Sequence, residues 1–156
     1  MTPAPAVPKR KILAVASSGG HWTQLLRLRP AFDGHEVVFA TTQSDSRDEV
    51  APDRFHCLPD ANRKSKLRVL LLMLRTFLVV LRERPDVVVS TGAAPGYFAL
   101  RFGRLFGART LWLESIANVE ELSLSTKLAR PYADLLLTQW PHLARSEGPH
   151  YRGSVL

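Results

Sequence analysis

The sequence predicts an α/β fold in which a Rossmann-like parallel sheet is covered by helices on both faces. Short apolar runs alternate with helical patterns, and two of these runs, at residues 11–16 and 86–90, end abruptly in small residues and glycines. That pattern is typical of buried strands that enter tight turns. With 156 residues and 46% hydrophobic composition, the chain has the apolar material of one ordinary domain. We therefore expect a flexible tail over residues 1–10 and a single domain over residues 11–156.

The first half of the chain is predicted to contain three strands and two helices. A strand over Lys11–Ala16 ends in Ser17–Gly20, and Leu25, Leu26 and Leu28 supply the apolar side of the helix that follows. The remaining elements are a strand over 36–40, a polar loop over 41–53, a short strand near 55–58 and a basic helix from about 64 to 84, which Pro85 ends.

The second half repeats the order of strand, turn and helix. The pattern predicts a strand over 86–90, a turn over 91–96, a helix over 97–106, a strand over 109–113, a helix over 123–129 and a strand over 133–138. Ligands of open parallel sheets bind beyond the carboxyl ends of the strands. We therefore expect function in three loops, Ser17–His21, Thr91–Gly96 and Glu114–Asn118.

The first loop has the composition of a phosphate-binding turn. Glycines let backbone N–H groups approach a ligand closely, and the start of the following helix adds partial positive charge. We predict that a phosphate or diphosphate contacts Ser17, Ser18, Gly19 and Gly20. The spacing matches neither GxGxxG nor the Walker pattern, so a tight turn without a ligand stays an equal alternative.

His21 is predicted to face the ligand cleft, because it stands at the start of the first helix. An imidazole suits proton transfer near neutral pH, so His21 is the first candidate for a catalytic base. The alternative is a histidine that hydrogen-bonds its own helix end. Glu114, at the carboxyl end of a predicted strand, is the second candidate base.

Two further sets of small polar residues are predicted to lie near the first turn. Thr91 and Gly92 begin a second turn compatible with phosphate, and Ser115 follows Glu114 in the third loop. The alternative for the second turn is the ordinary turn chemistry of an α/β protein, and Ser115 can equally cap a loop.

The positive charge of the chain is concentrated in one segment. The net charge is +7, and residues 61–84 hold seven Lys or Arg against the single acid Glu83, a local excess of +6. Arg68, Arg75 and Arg82 fall on one helical stripe, with Leu74 and Phe77 among the apolar residues between them. The sequence therefore predicts a helix that lies on an anionic membrane surface, or one that is buried or covered by a partner.

Other classes of protein fit this segment and this chain less well. The 15 residues of 67–81 span about 22 Å as a helix, short of a hydrocarbon core of about 30 Å, and the segment contains an arginine. Leucine and valine between the cations disfavour nucleic acid. The histidines and the single cysteine lack metal-site spacing, so we expect no metal and no cofactor. The single cysteine and the absence of an apolar leader predict a cytosolic location.

Three stretches taken together resemble a known family. They are ASSGGHWTQLL at 16–26, VSTGAAPGY at 89–97 and the segment 113–140, which contains LESIANVEELSLSTKL and ADLLLTQW. The chain resembles the membrane-associated subunit of the eukaryotic UDP-N-acetylglucosamine transferase that extends dolichyl-diphosphate-GlcNAc, and its bacterial capsule and exopolysaccharide counterparts. Such subunits are similar to the N-terminal half of a GT-B glycosyltransferase such as MurG.

The resemblance implies a half-enzyme at the cytoplasmic face of a membrane. A separate small subunit would supply the C-terminal domain that binds the UDP-sugar, and this chain would bind a polyprenyl-diphosphate-linked sugar acceptor. Gly19, Gly20 and His21 match the family's first loop, the pair Thr91 and Gly92 its second, and Glu114 with Ser115 its third. Because the sequence begins without the eukaryotic N-terminal anchor, we expect attachment through the basic helix. A non-catalytic scaffold that recruits the partner is the alternative, while a dinucleotide-binding oxidoreductase would need the missing GxGxxG turn.

Overall fold

The computed structural model describes residues 7–62 and 64–155, so residues 1–6 of the predicted tail and Arg63 of the basic segment lie outside the described residues. Within them, the strands are β1 (Lys11–Ala16), β2 (Glu36–Thr41), β3 (Arg54–Cys57), β4 (Val87–Gly92), β5 (Arg109–Leu113), β6 (Leu135–Thr138) and β7 (His150–Tyr151). The α-helices are α1 (Gly20–Arg27), α2 (Arg47–Val50), α3 (Lys66–Glu83), α4 (Ala93–Leu105) and α5 (Leu124–Ala129).

The strands form one parallel sheet in the order β3-β2-β1-β4-β5-β6-β7. The chain builds outward from β1 to β3, returns to pair β4 with β1, and then builds outward in the other direction. The strand order therefore reverses between β1 and β4, which is where parallel sheets of this kind open a crevice for ligands. The predicted Rossmann-like sheet is confirmed.

Each face of the sheet has its own apolar core. Strand residues such as Leu13, Val15 and Trp112 pack against α3, α4 and α5 on one face. On the other face, Phe39 packs with Trp22 and Leu25 of α1. Trp112 is completely buried, and its indole N–H donates to the hydroxyl of Thr126 at 2.6 Å, which fixes α5 against β5.

Helix α3 is the long basic helix that the sequence predicts, and local chemistry sets both of its ends. The Ser65 hydroxyl accepts a hydrogen bond from the backbone N–H of Arg68, which caps the first turn. At the other end Arg84 adopts a left-handed conformation with φ 45°, and Pro85 cannot continue the helix. The buried face of α3 is narrow and consists of Leu72, Thr76, Val80 and Glu83.

Glu83 ties the end of α3 to the edge of the sheet through a buried carboxylate. Its oxygens accept from Arg54 and from His56 of β3, both at 2.7 Å, and Lys11 of β1 lies 3.6 Å away. Burial alone would raise the pKa of Glu83, but the hydrogen bond from His56 and the positive charge of Arg54 outweigh it and hold that pKa below its usual value. The ionised carboxylate therefore stabilises the fold near neutral pH and loses this effect as the pH falls through its lowered pKa.

Three elements differ from the sequence predictions. The turn predicted over 91–96 is confined to Gly92 and Ala93, because φ angles of 140° and 66° reverse the chain there and α4 begins at once. A single helical turn, α2, lies within the predicted polar loop 41–53. The two-residue strand β7 has no counterpart in the predictions, since its short and mostly polar sequence has no apolar run.

Candidate functional site

Three loops meet at the carboxyl edge of the sheet. They follow β1, β4 and β5, and β4 pairs with both β1 and β5. The structure therefore brings the three predicted loops together, at and beside the point where the strand order reverses.

The turn formed by Gly19 and Gly20 is open. Gly19 adopts φ 78°, a conformation that side chains with a Cβ rarely take, and helix α1 begins at Gly20. A Cβ built on either glycine would meet no protein atom within 4 Å. The Cβ side of both glycines therefore borders unfilled space at the N-terminus of α1, where a diphosphate site needs room.

His21 lies beside this open turn and is fixed by β4. Its Nδ1 is 2.9 Å from the carbonyl oxygen of Thr91, and the Thr91 hydroxyl donates to the carbonyl oxygen of His21 at 2.6 Å. Because a carbonyl oxygen only accepts, the hydrogen of the neutral ring belongs on Nδ1. The lone pair of the ring then lies on Nε2, the atom that would accept a proton from a substrate.

The second turn is filled by protein atoms. A Cβ on Gly92 would lie 2.5 Å from Nδ1 of His21, and a Cβ on Gly96 would lie 1.8 Å from the Ser90 hydroxyl oxygen. That oxygen also accepts from the backbone N–H of Gly92 at 3.1 Å. Gly92 in the turn thus admits the imidazole of His21, and Gly96 in the first turn of α4 admits the Ser90 side chain.

Glu114 holds the third loop and has no free oxygen for catalysis. The residue is 1% exposed. One carboxylate oxygen accepts from the backbone N–H of Ser115 at 2.9 Å and from the Asn118 side chain at 2.8 Å, and the other accepts from the backbone N–H of Ser123 at 2.7 Å. This geometry corrects the prediction of a second base, because the buried carboxylate joins the third loop to the start of α5.

Three predicted phosphate ligands are also occupied by the protein itself. The hydroxyl of Thr91 is buried and donates to His21, and the hydroxyl of buried Ser115 accepts from Gln24 and from the backbone N–H of Ala117. The backbone N–H of Ser18 donates to the Thr42 hydroxyl, which donates in turn to the Ser18 oxygen. Of the predicted set, Ser17 is half-buried, and Gly19 and Gly20 are exposed.

Two buried glutamines that sequence reasoning missed connect the loops. Gln24 donates to Ser115 at 3.2 Å and to the Gly20 carbonyl oxygen at 3.3 Å, and its own oxygen accepts from Gln139 at 2.6 Å. Gln139 also donates to the carbonyl oxygen of Glu114 at 3.0 Å. The one sequence signal for this network was a polar residue, Gln24, on the buried side of α1. Its pairing with Gln139 could not be read from the sequence, because the two residues are 115 positions apart.

The outer face of α3 presents two parallel stripes. The first, the arginine stripe, consists of the exposed residues Arg68, Arg75 and Arg82. The second, the leucine stripe, is 37–76% exposed and consists of Leu67, Leu70, Leu71, Leu74, Leu78 and Leu81. Leu74, one of the predicted membrane contacts, is 49% exposed and belongs to this leucine stripe.

The ring of Phe77, which the sequence predicts to contact the membrane, packs against other aromatic rings of the protein. This half-buried ring packs against Phe102 of α4 and against Phe106, which directly follows that helix, at centroid distances of 5.3 and 5.8 Å. The ring therefore joins two helices, and the exposed leucines provide most of the apolar surface.

Residues 7–62 and 64–155 contain no group of three or more His, Cys, Asp or Glu side chains arranged to bind a metal ion. Over the same ranges, none of the helices has the length and apolar character that a membrane crossing requires.

The parallel sheet, with its strand order reversing between β1 and β4, defines a Rossmann-like domain of the kind found in GT-B glycosyltransferases. The structure is similar to MurG from Acinetobacter baumannii, with a TM-score of 0.71 at 15% identity over 94% of this chain and 46% of that one. It is equally similar to a UDP-N-acetylglucosamine 2-epimerase from Rickettsia bellii, with a TM-score of 0.71 at 15% identity over 95% of this chain and 46% of that one. At such identity the likeness concerns the fold, and this chain spans about half of each structure.

Sequence comparison identifies the family. Residues 59–155 match the model of the "Oligosaccharide biosynthesis protein Alg14 like" family, and this chain belongs to that family. It is 31% identical to the mouse "UDP-N-acetylglucosamine transferase subunit ALG14" over 85% of this chain and 76% of the mouse protein. The human protein of the same name is 30% identical over the same shares. The resemblance read from the three sequence stretches is confirmed.

Proposed function

We propose that this chain is the acceptor-binding, membrane-associating subunit of a heterodimeric glycosyltransferase. The complete enzyme would transfer a sugar from a UDP-sugar to a polyprenyl-diphosphate-linked saccharide during oligosaccharide, capsule or exopolysaccharide synthesis. Family membership supports the transferase assignment, since the relatives are named as transferase subunits. The single structural observation that supports the acceptor role most strongly is the open Gly19–Gly20 turn beside the oriented ring of His21.

The acceptor diphosphate is assigned to the first turn. Exposed backbone N–H groups at the start of α1 would donate to its oxygens, and the helix dipole would favour its negative charge. Gly19 and Gly20 leave the space that those oxygens need, and half-buried Ser17 precedes them in the same loop. The acceptor sugar would then lie over the carboxyl edge of the sheet, toward the partner subunit.

His21 is the base of the proposed reaction. Its Nε2 would accept the proton of the attacking acceptor hydroxyl as that oxygen bonds to the anomeric carbon of the donor sugar. The bond from that carbon to UDP breaks at the same time, and UDP departs with the bonding electrons and with inverted configuration at the carbon. Donor groups of the partner subunit would stabilise the developing charge on UDP. UDP-sugar is the donor substrate, and no resident cofactor is invoked.

The outer face of α3 is assigned to the membrane. Six leucines along one exposed stripe make an apolar patch that soluble surfaces rarely show, and arginines flank it on one side. Such a helix can lie in the interface with its leucines among the acyl chains while its cations reach anionic head groups. The proposal therefore assigns the chain to the cytoplasmic face of a membrane as a peripheral subunit.

The second candidate function is a non-catalytic scaffold that recruits the partner subunit to the membrane. The sequestered carboxylate of Glu114 favours it, because one of the two predicted bases is committed to structure. The two functions differ only in whether His21 takes part in chemistry.

A substitution that keeps the fold but removes the base separates them. In His21→Asn, the side-chain amide N–H can replace Nδ1–H toward Thr91, and no group replaces Nε2. We expect kcat to fall by roughly 10²- to 10⁴-fold, with partner and vesicle binding unchanged. The measurement is transfer from UDP-N-acetylglucosamine to a polyprenyl-diphosphate-linked acceptor by the purified two-subunit complex.

The matched control is His35→Asn. His35 lies near the opposite edge of the sheet, where its Nδ1 accepts from the backbone N–H of Arg10. We expect this variant to retain full activity. Full activity of His21→Asn in a complex that binds partner and vesicles normally would support the scaffold and reject the catalytic assignment.

A further inference from the structure

A recess opens between β3 and α3, on the face of the sheet that α3 covers. Its volume is about 240 Å³, and its walls consist of His56, Cys57, Leu58, Arg75, Leu78, Val79 and Arg82. At about 30 Å³ for each water molecule in the liquid, that volume has room for a phosphate group and part of a glycerol attached to it.

The two arginines of this recess differ from several other arginines of the domain in having no acidic partner among the residues that the structure describes. Arg29, Arg54 and Arg104 form ion pairs with acidic side chains at 2.6–3.0 Å. Among the residues that the structure describes, Arg75 and Arg82 form no ion pair and no side-chain hydrogen bond. Two guanidinium groups that share one recess repel each other, and an anion bound between them would remove that repulsion.

The nearest buried acid does not supply this anion. Glu83 is wholly buried, and its carboxylate is already taken by Arg54 on one oxygen and by His56 on the other, each at 2.7 Å. The same bond holds the His56 ring in the wall of the recess. The positive charge of Arg75 and Arg82 is therefore directed to solvent or to an external ligand.

The recess is continuous with the leucine stripe. Leu78 lies in the wall of the recess and is also a 55% exposed member of that stripe. Arg75 and Arg82 stand two helical turns apart, about 10 Å along the axis, on the side of α3 that borders the leucines. A ligand bound here would have an anionic group among guanidinium groups and an apolar part along leucine side chains.

We propose that this recess binds the phosphate of an anionic glycerophospholipid, whose acyl chains lie against the leucine stripe. The assignment rests on the proposed membrane role of α3 and deepens it, because it replaces a diffuse attraction of cations to the surface with one built site. Guanidinium groups bind phosphate through two parallel N–H···O bonds, a geometry that the ammonium group of lysine does not reproduce. Nucleic acid shares the phosphate but has no counterpart for the leucines.

Charge-conserving substitutions test the site. The variant Arg75→Lys/Arg82→Lys keeps both charges but loses the paired N–H geometry. We expect its affinity for vesicles of phosphatidylcholine with 30% phosphatidylglycerol to fall at least about fivefold, as much as the loss of a whole charge at the surface would cause. The matched control Arg84→Lys/Arg109→Lys changes two exposed cations that lie outside both the recess and the arginine stripe, and we expect less than about a twofold change. Equal losses for the two pairs would overturn the site.

Cys57 gives a readout confined to the recess. It is the single cysteine of the chain, it is exposed, and it lines the recess. We expect dihexanoyl phosphatidylglycerol, below its micelle concentration, to slow alkylation of Cys57 by N-ethylmaleimide at least about fivefold in the wild type, and less than about twofold in Arg75→Lys/Arg82→Lys. Inorganic phosphate at the same ionic strength should protect much less, since it lacks the acyl chains. Equal protection by phosphate, or protection by single-stranded RNA in place of the lipid, would overturn the lipid assignment.

These outcomes separate the recess from the membrane role on which it rests. Failure of the wild type to bind any anionic vesicle would overturn both. Vesicle binding that depends on the leucine stripe, tested with Leu74→Glu, but is insensitive to both arginine-to-lysine pairs would leave the membrane role intact and overturn the recess alone.

Discussion

The two glycine-containing segments at the carboxyl edge of the sheet look alike in sequence but differ in what fills the space beside their glycines. Around Gly19 and Gly20 the space that side chains would fill is empty, whereas around Gly92 and Gly96 it is occupied by His21 and Ser90. The first segment leaves room for a ligand, whereas the second leaves room for side chains of the protein. A glycine-rich turn after a strand therefore indicates close approach, and only the packed structure shows what approaches.

The largest effect is expected for Gly92→Ala. Its methyl group would lie 2.5 Å from Nδ1 and 2.6 Å from Cε1 of His21, and φ 140° is a conformation that only glycine adopts readily. We expect the free energy of unfolding to fall by about 4 kcal/mol, the combined effect of strain and overpacking. Urea unfolding followed by circular dichroism measures it.

A double-mutant cycle separates these two causes. In His21→Ala/Gly92→Ala the clash is gone and the backbone strain remains, so part of the loss should return. Strict additivity of the two single substitutions would show that the ring does not occupy the space above Gly92.

Gly96→Ala should follow closely. The new methyl group would lie 1.8 Å from the hydroxyl oxygen and 2.8 Å from the Cβ of Ser90, which is completely buried. We expect a loss of about 3 kcal/mol, again measured by urea unfolding. Ser90→Ala in the same chain should relieve part of it, and a stability of Gly96→Ala within about 0.5 kcal/mol of wild type would contradict the close packing of α4 against β4.

Glu114→Gln tests whether the third loop, like the second turn, is shaped by contacts within the protein. The amide replaces an oxygen that accepts backbone or Asn118 N–H groups with a group that only donates. We expect about 2 kcal/mol of destabilisation, because a buried donor loses its acceptor. If stability is unchanged while kcat falls 100-fold or more, Glu114 acts as a base and our structural assignment is wrong.

The smallest effect on stability is expected at the first turn, for Gly20→Ala. Its Cβ would meet no protein atom within 4 Å, so the free energy of unfolding should change by less than about 0.5 kcal/mol. The methyl group would instead enter the space assigned to the diphosphate, and we expect KM for the acceptor to rise about tenfold, as for the loss of one hydrogen bond to a charged group. A large loss of stability with unchanged KM would remove the contrast between the two turns.

The elements that could be predicted are those with a local signal. The apolar run Lys11–Ala16, followed by small residues and two glycines, predicts β1 with the bounds that the structure has. The turn predicted over Ser17–Gly20 ends one residue later than in the structure, where α1 begins at Gly20. The basic helix was predicted within two residues at its start and one at its end, because Ser65 caps it and Pro85 ends it. Side-chain spacing also placed the arginines on one exposed stripe.

The roles of the polar residues in the loops could not be predicted in the same way. A threonine, serine or glutamate after a strand can bind a ligand or hold a neighbouring loop, and the difference is burial. Thr91, Ser115 and Glu114 are 0%, 5% and 1% exposed, which follows from how distant segments pack. The pairing of Gln24 with Gln139 depends on the same long-range packing.

The pairing of β1 with β4 also sets the order in which the parts of the site form during folding. His21 and Thr91 are 70 positions apart, and their contact exists only once β4 lies beside β1. During synthesis the glycine turn and the imidazole leave the ribosome well before the segment that orients them. A chain interrupted before β4 would contain the glycine turn and His21, but no Thr91 to orient the imidazole. The proposed base is therefore oriented for proton transfer only after β4 has paired with β1.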